Sequence, residues 1–144
     1  MTGLIHCFPI RIYYEDTDHG GVVYYANYLK FMERARTEYL RGAGLEQDEI
    51  ERKHGILFAV TEAHVRYHKP ARFNDLLEIE SSIREVSGVQ IAMQQLIRRA
   101  ESGELLVTGN VRLASMDRNG KPKRMPREIA TFFQQHLNPT KENS

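Results

Sequence analysis

The chain has 144 residues and a mass of 16.7 kDa, enough for one domain and too little for two independent cores. With 41% hydrophobic and 27% charged residues it reads as globular, and a net charge of +1 gives no global pull toward nucleic acid or an anionic membrane. The single cysteine, Cys7, excludes an internal disulfide and a Cys-rich zinc site, and no apolar run approaches the ~18 residues of a membrane span. The expectation is a cytoplasmic protein with no transmembrane segment and no nucleic-acid partner.

The first element runs from Ile5 to Tyr14, where Phe8, Ile10 and Ile12 alternate with Cys7, Pro9, Arg11 and Tyr13. That alternation predicts a half-buried strand, and Pro9 puts its start at a sheet edge. Glu15-Asp16-Thr17-Asp18-His19-Gly20-Gly21 then breaks every period and reads as a loop. From Tyr24 to Arg41 the apolar residues Tyr24, Tyr28, Phe31, Met32, Ala35 and Tyr39 recur at three- and four-residue steps, which predicts a long amphipathic helix stopped by Gly42 and Gly44. Arg36 falls on the flank of its apolar face, placed to snorkel or to meet a carboxylate. A short polar helix over Glu46 to Lys53 ends at Gly55.

Everything after that reads as strand. Ile56, Phe58 and Val60 point inward, then Ala63, Val65 and Tyr67 do, so the phase slips near Thr61, as a β-bulge would make it. Leu77, Ile79 and Ile83 mark the next strand, Val89 to Ile97 another, and Leu105 to Leu113 the last, with tight turns between. Pro126 opens a final amphipathic helix through Ile129, Phe132, Phe133 and Leu137. The domain therefore spans 1–138, with a polar tail at 139–144. The fold class is α+β: one long central helix covered by an antiparallel sheet of about five strands. So few strands leave an open edge that self-association would cover.

Most familiar sites are missing. There is no complete G-x-G-x-x-G, no phosphate loop and no nucleophile elbow. His64 and His68, four apart on a strand, lie ~13 Å apart and cannot share a metal. Asp16, Asp18 and Gly21 mimic a calcium loop, but the bidentate glutamate is missing. Arg118, Lys121, Lys123, Arg124 and Arg127 form a basic cluster, which is either a solvated surface or a dock for a phosphorylated cofactor or an acidic carrier protein. The segment from Tyr14 to Tyr25 carries more. Three carboxylates, Glu15, Asp16 and Asp18, precede two glycines that lead into a helix start. A helix start offers unpaired N–H groups that can hold an oxyanion, and a nearby carboxylate can attack an electrophile or activate water. An acidic N-cap region is the other reading, and physics alone separates the two no further.

The stretch Tyr13-Tyr14-Glu15-Asp16-Thr17-Asp18-His19-Gly20-Gly21-Val22-Val23-Tyr24-Tyr25-Ala26-Asn27-Tyr28-Leu29, with Glu33 to Glu38, resembles the signature of hotdog-fold acyl-CoA thioesterases. It is most similar to the subgroup associated with the Tol-Pal envelope system of bacteria and to 4-hydroxybenzoyl-CoA thioesterase. Tyr67-His68-Lys69-Pro70-Ala71-Arg72 extends the resemblance, which covers nearly the whole chain. It implies a hotdog fold, an active site at a dimer interface, and a homodimer or homotetramer. The family's catalytic carboxylate matches Asp18, and the backbone N–H that polarises the thioester carbonyl matches Tyr25. Tyr14, Gly21, Val22, Tyr24 and Tyr28, in the same stretch, form the expected substrate-binding set. The implied activity is hydrolysis of short- to medium-chain acyl-CoA, with an acyl carrier protein as a further candidate partner. No cofactor or metal is implied, because coenzyme A is part of the substrate. The alternative is a non-hydrolytic acyl-CoA or acyl-carrier-protein binding module linked to the cell envelope. One position departs from the Tol-Pal subgroup: many members carry histidine where this chain has Tyr25.

Overall fold

The computed structural model describes residues 5–138; the expected polar tail lies outside the described residues. In chain order the elements are β1 (Ile5–Arg11), a 3-10 turn (Tyr14–Asp16), α1 (Asn27–Gly42), α2 (Gln47–His54), β2 (Leu57–Tyr67), β3 (Leu76–Val86), β4 (Gln90–Arg99), β5 (Leu105–Met116) and α3 (Arg127–Gln135). The five strands form one antiparallel sheet in the order β1-β3-β4-β5-β2. Alternation within the central strands sends Leu77, Ile79 and Ile83, then Ile91, Met93 and Ile97, then Val107, Val111 and Leu113 into one core. The buried stripe of α1, Tyr28, Phe31, Met32, Ala35, Tyr39 and Leu40, closes that core from the other side. One helix wrapped by one sheet is the hotdog arrangement.

Two details set how closely α1 lies on the sheet. Gly109 of β5 sits under Met32, and a Cβ there would overlap the Met32 Cε and come within 3.0 Å of its Sδ. Gln95 of β4 is fully buried; its amide nitrogen donates to Met32 O at 2.9 Å and to Ser81 Oγ at 3.0 Å. Its amide oxygen accepts from Arg36 Nη1 at 3.0 Å. Every polar atom of this buried amide group that faces the helix is thus engaged, which is the condition for burying it at low cost. Arg36 meets an amide here, where the sequence pointed to solvent or a carboxylate.

Several boundaries differ from the sequence reading. β1 ends at Arg11 and not at Tyr14, because Asp16 captures the Tyr13 N–H at 2.8 Å and curls the chain into the 3-10 turn. α1 begins at Asn27 and not at Tyr24, because the carbonyls of Tyr24, Tyr25 and Ala26 accept from N–H groups three residues on, at 2.9, 3.3 and 3.3 Å, so the entry is a tight turn, while the Tyr24 N–H goes to Asp16 O at 3.0 Å. The predicted slip in β2 is present as a register shift between Val60 and Glu62. Further shifts, between Ile83 and Glu85 and between Ile97 and Arg98, had no counterpart in the pattern. The largest difference is exposure. Val60, Ala63 and Tyr67, expected inward, are exposed, Val60 by 47%, because β2 is an edge strand with one neighbour. α3 opens with Pro126 as its N-cap, and α2 ends at Gly55, as the sequence indicated. In the basic cluster Arg118 pairs with Glu51 at 3.2 Å and Lys123 donates to His54 O at 3.2 Å.

The Gly109 contact is directly testable. Gly109→Ala forces Met32 to repack in a closed core and lowers stability by about 1–3 kcal/mol, the usual cost of overpacking. Trimming the partner in Met32→Ala/Gly109→Ala restores room, so chemical denaturation of the double-mutant cycle shows strong non-additivity. Additive losses in that cycle would show that the two positions do not share the notch.

Candidate active site

The link from β1 to α1 has little regular structure, but most of its backbone groups are engaged. Asp16 Oδ2 accepts the Tyr13 N–H, and Thr17 donates both its N–H and its hydroxyl to Tyr14 O, at 3.1 and 2.7 Å. A small hairpin follows: Thr17 bridges to Val23, the Asp18 N–H donates to Val22 O at 2.9 Å, and the Gly21 N–H to Asp18 O at 3.1 Å. Gly21 closes it at φ +78°, a conformation that suits glycine. Within the hairpin Asp18 Oδ1 accepts from the Gly20 N–H at 2.8 Å and from the Val22 N–H at 3.4 Å. Asp18 is exposed, and Oδ2 accepts from no described residue. One carboxylate oxygen orients the group, and the other is available.

Asp16 does different work. Its carboxylate caps the 3-10 turn, and its carbonyl accepts from the Tyr24 N–H at 3.0 Å and from Asn27 Nδ2 at 2.9 Å. These bonds tie the hairpin to the start of α1. On the far side Val22 bridges to Arg72, and the Val23 N–H donates to Ala71 O at 2.8 Å. The Ala71 N–H in turn donates to the buried Tyr28 hydroxyl at 3.0 Å.

Tyr25 stands two residues ahead of Asn27, in the turn that enters α1 and not within the helix. Its carbonyl accepts from the Tyr28 N–H at 3.3 Å and the Tyr67 hydroxyl at 3.4 Å. Its N–H donates to no described residue. The Tyr25 and Tyr67 rings meet edge to face at 6.2 Å, and Tyr28 lies 5.6 Å from Tyr67. Together with Val23, His68 and Pro70 they line a depression of about 210 Å³. Burial raises the Tyr28 phenol above its ordinary value, with the Ala71 N–H pulling it back in part. Burial and then the neighbouring Tyr25 raise Tyr67 as well. Both are therefore neutral donors or acceptors at physiological pH.

Of the residues singled out in the sequence, Asp18, Gly21 and Val22 form the hairpin, and Tyr25 and Tyr28 line the depression. Tyr24 is exposed and packs its ring 4.8 Å from Tyr25. Tyr14 is 79% exposed, set against Phe73 at 5.9 Å, and does not line the depression. Tyr67 and His68 were not among the selected site residues. Their signal lay in the second resembling segment, Tyr67 to Arg72, which the structure lays alongside the hairpin. His64 and His68 have separate partners, Glu62 at 3.1 Å and Thr108 Oγ1 at 2.9 Å. Among the described residues no three metal-ligating side chains stand together. No described helix is long and apolar enough to cross a membrane.

Residues 13–133 match the thioesterase-like superfamily. The chain is 40% identical over 127 residues to the acyl-CoA thioesterase YbgC of Haemophilus influenzae, covering 88% of this chain and 92% of that protein. It is also 40% identical over 136 residues to the acyl-CoA thioester hydrolase YbgC of Escherichia coli O6:H1, covering 94% of this chain and 100% of that protein. Among solved structures, a probable thioesterase from Bartonella henselae superposes with a TM-score of 0.79 at 36% identity, over 85% of this chain and 100% of that one. The likeness extends over most of the chain in both sequence and fold, and the chain belongs to the thioesterase-like superfamily of hotdog-fold thioester hydrolases.

Proposed function

We propose that the protein hydrolyses short- to medium-chain acyl-CoA thioesters to free acid and coenzyme A, with Asp18 and the Tyr25 backbone N–H as its chemical groups. The observation that carries this reading is the unpartnered Tyr25 N–H at the lip of the aromatic depression, downstream of the exposed Asp18 carboxylate. A thioester needs modest assistance, because sulfur donates weakly into the carbonyl and thiolate leaves readily. The Tyr25 N–H donates to the carbonyl oxygen and holds the charge that develops there, a contact worth ~2.7–4 kcal/mol in well-studied oxyanion sites.

Asp18 acts on the carbonyl carbon by one of two routes. In the first, Oδ2 attacks, the carbon–sulfur bond breaks, coenzyme A leaves as thiolate, and water then cleaves the mixed anhydride and restores the carboxylate. In the second, Asp18 takes a proton from a water that attacks directly. In single-turnover hydrolysis in ¹⁸O water, label in Asp18 identifies the first route, with water attacking the aspartyl carbonyl carbon, whereas label in the released acid alone fits the second route or anhydride cleavage at the acyl carbon. The hydrogen bonds from Gly20 and Val22 to Oδ1 suit either route, since they aim Oδ2 without occupying it.

A shared site fits the exposed β2 edge. Its free hydrogen-bonding row and the exposed Val60 and Tyr67 suit antiparallel pairing with a second copy, the basis of a homodimer or a pair of dimers. The lone free Cys7 and the substrate class suit a cytoplasmic location.

Asp18→Asn folds as the parent does and loses ~10²–10⁴-fold in kcat, the usual worth of a positioned base. Release of free thiol from a panel of acyl-CoA substrates measures it, and parental turnover in the variant would remove the mechanism. Asp16→Asn shows the opposite pattern, a lower Tm with turnover largely kept, because its carboxylate holds a turn.

At Tyr25 the side chain and the backbone separate. Tyr25→Phe keeps the N–H and changes kcat little, whereas Tyr25→Pro removes it and is close to inactive. A large kcat loss in Tyr25→Phe would assign chemistry to the phenol instead. Light scattering under assay conditions gives a multiple of 16.7 kDa, and specific activity falls on dilution through dissociation. A fully active monomer would end the shared-site reading.

A further inference from the structure

The hairpin that carries Asp18 is gripped at both of its ends by consecutive residues at the start of α1. Asn27 holds the near end: its side-chain amide donates to Asp16 O at 2.9 Å. Tyr28 holds the far end at one remove. Its hydroxyl accepts the Ala71 N–H at 3.0 Å, and Ala71 O accepts the Val23 N–H at 2.8 Å. Asp18 lies between the two grips, with its own N–H donated to Val22 O at 2.9 Å, next to Val23. Ala71 is fully buried, so its N–H has no water to turn to and depends on that hydroxyl.

The ring of Tyr28 lines the aromatic depression, but its oxygen is committed to the backbone. The ring has support of its own, from Phe31 edge to face at 6.1 Å and from Tyr67 at 5.6 Å. Removing the oxygen alone keeps that packing and strands the Ala71 N–H in the interior, which is a costly state. Ala71 must then shift to find a partner, and Val23 and the hairpin follow it. The same segment is braced from its other side by Asp75, whose Oδ2 accepts the Arg72 N–H at 2.8 Å and whose carboxylate pairs with Arg99. Val22 bridges to Arg72, so this second brace also bears on the hairpin.

We propose that Tyr28 is a positioning residue for thioester hydrolysis: its hydroxyl, acting through Ala71 and Val23, sets where Asp18 stands and makes no contact with the reacting atoms. The inference rests on the Asp18 reading above, and it moves the Tyr28 hydroxyl out of the expected substrate-binding set. Attack on a carbonyl is steep in geometry, and a misplacement of about 1 Å by a remote change costs on the order of 10²-fold in rate. A hydroxyl that never touches the thioester therefore governs kcat and leaves KM alone.

The test is Tyr28→Phe, alone and combined with Asp18→Asn, assayed by release of free thiol from butyryl-CoA. In the otherwise parental chain kcat falls about 10- to 100-fold while KM stays within about threefold. In the Asp18→Asn background the further loss is much smaller, since no aimed carboxylate is left to misplace. Hydrogen exchange adds a readout that general loosening would not give: the Asp18 and Val23 amides exchange faster, and those in the middle of α1 keep their parental protection. Asp75→Ala loosens the same segment from the other side and shows the same non-additivity with Asp18→Asn. It carries the test alone if Tyr28→Phe does not fold. A raised KM with kcat kept makes Tyr28 a substrate contact and overturns the proposal. Unchanged kinetics overturn it as well, and so do losses that multiply in full with that of Asp18→Asn. Each of these outcomes leaves the hydrolase reading intact. Parental turnover in Asp18→Asn overturns the Asp18 reading and this inference with it.

Discussion

The height of α1 above the sheet is set by two contacts on neighbouring strands: the missing side chain at Gly109, occupied by Met32, and the Gln95 amide, which bonds Met32 O, Ser81 Oγ and Arg36. A protein interior tolerates little slack, so a helix held at two points cannot slide to relieve strain elsewhere. The N-terminal end of α1 then becomes a fixed platform. Asn27 and Tyr24 reach back to Asp16 O from that platform, and the hairpin carrying Asp18 takes its position from them. A buried polar contact far from the hairpin thereby governs where a surface carboxylate stands.

The hairpin shows how two similar acids take different roles. Both precede the same pair of glycines, and composition does not separate them. Hydrogen bonding does. Asp16 has a carboxylate and a carbonyl committed to the turn and to α1, while Asp18 has one oxygen held and the other open. Preorganisation of this kind suits the role proposed for Asp18, because a carboxylate already aimed needs little reorganisation.

Much of this was legible in the sequence. Period-two alternation located the strands, the slip near Thr61 announced a bulge, and the three- and four-residue spacing gave the buried face of α1. Patterns fail where the environment on one side of an element is absent. Val60, Ala63 and Tyr67 alternate as core residues do, yet β2 lies at the edge and leaves them exposed. Alternation marks the two faces of a strand, and it does not reveal that β2 has a neighbouring strand on one side alone. The start of α1 differs for another reason: Tyr24 fits the helical period, but its carbonyl and that of Tyr25 close tight turns onto the N–H groups of Asn27 and Tyr28 ahead of the helix. Arg36 stood out as a charge on an apolar flank, but its partner Gln95 lies 59 residues away, beyond any local pattern.

Thioester cleavage asks for one donor and one acid, and such a small set constrains the acyl group very little. Selectivity must then come from surfaces that the reacting atoms never touch. An apolar wall alone discriminates weakly, since one methylene is worth ~1–3 kcal/mol in a pocket, whereas buried polar groups left unpaired by the wrong substrate discriminate far more steeply. If the β2 edge pairs with its copy, distance in sequence no longer measures distance to the substrate, and residues remote from Asp18 in the chain can stand beside the same acyl group.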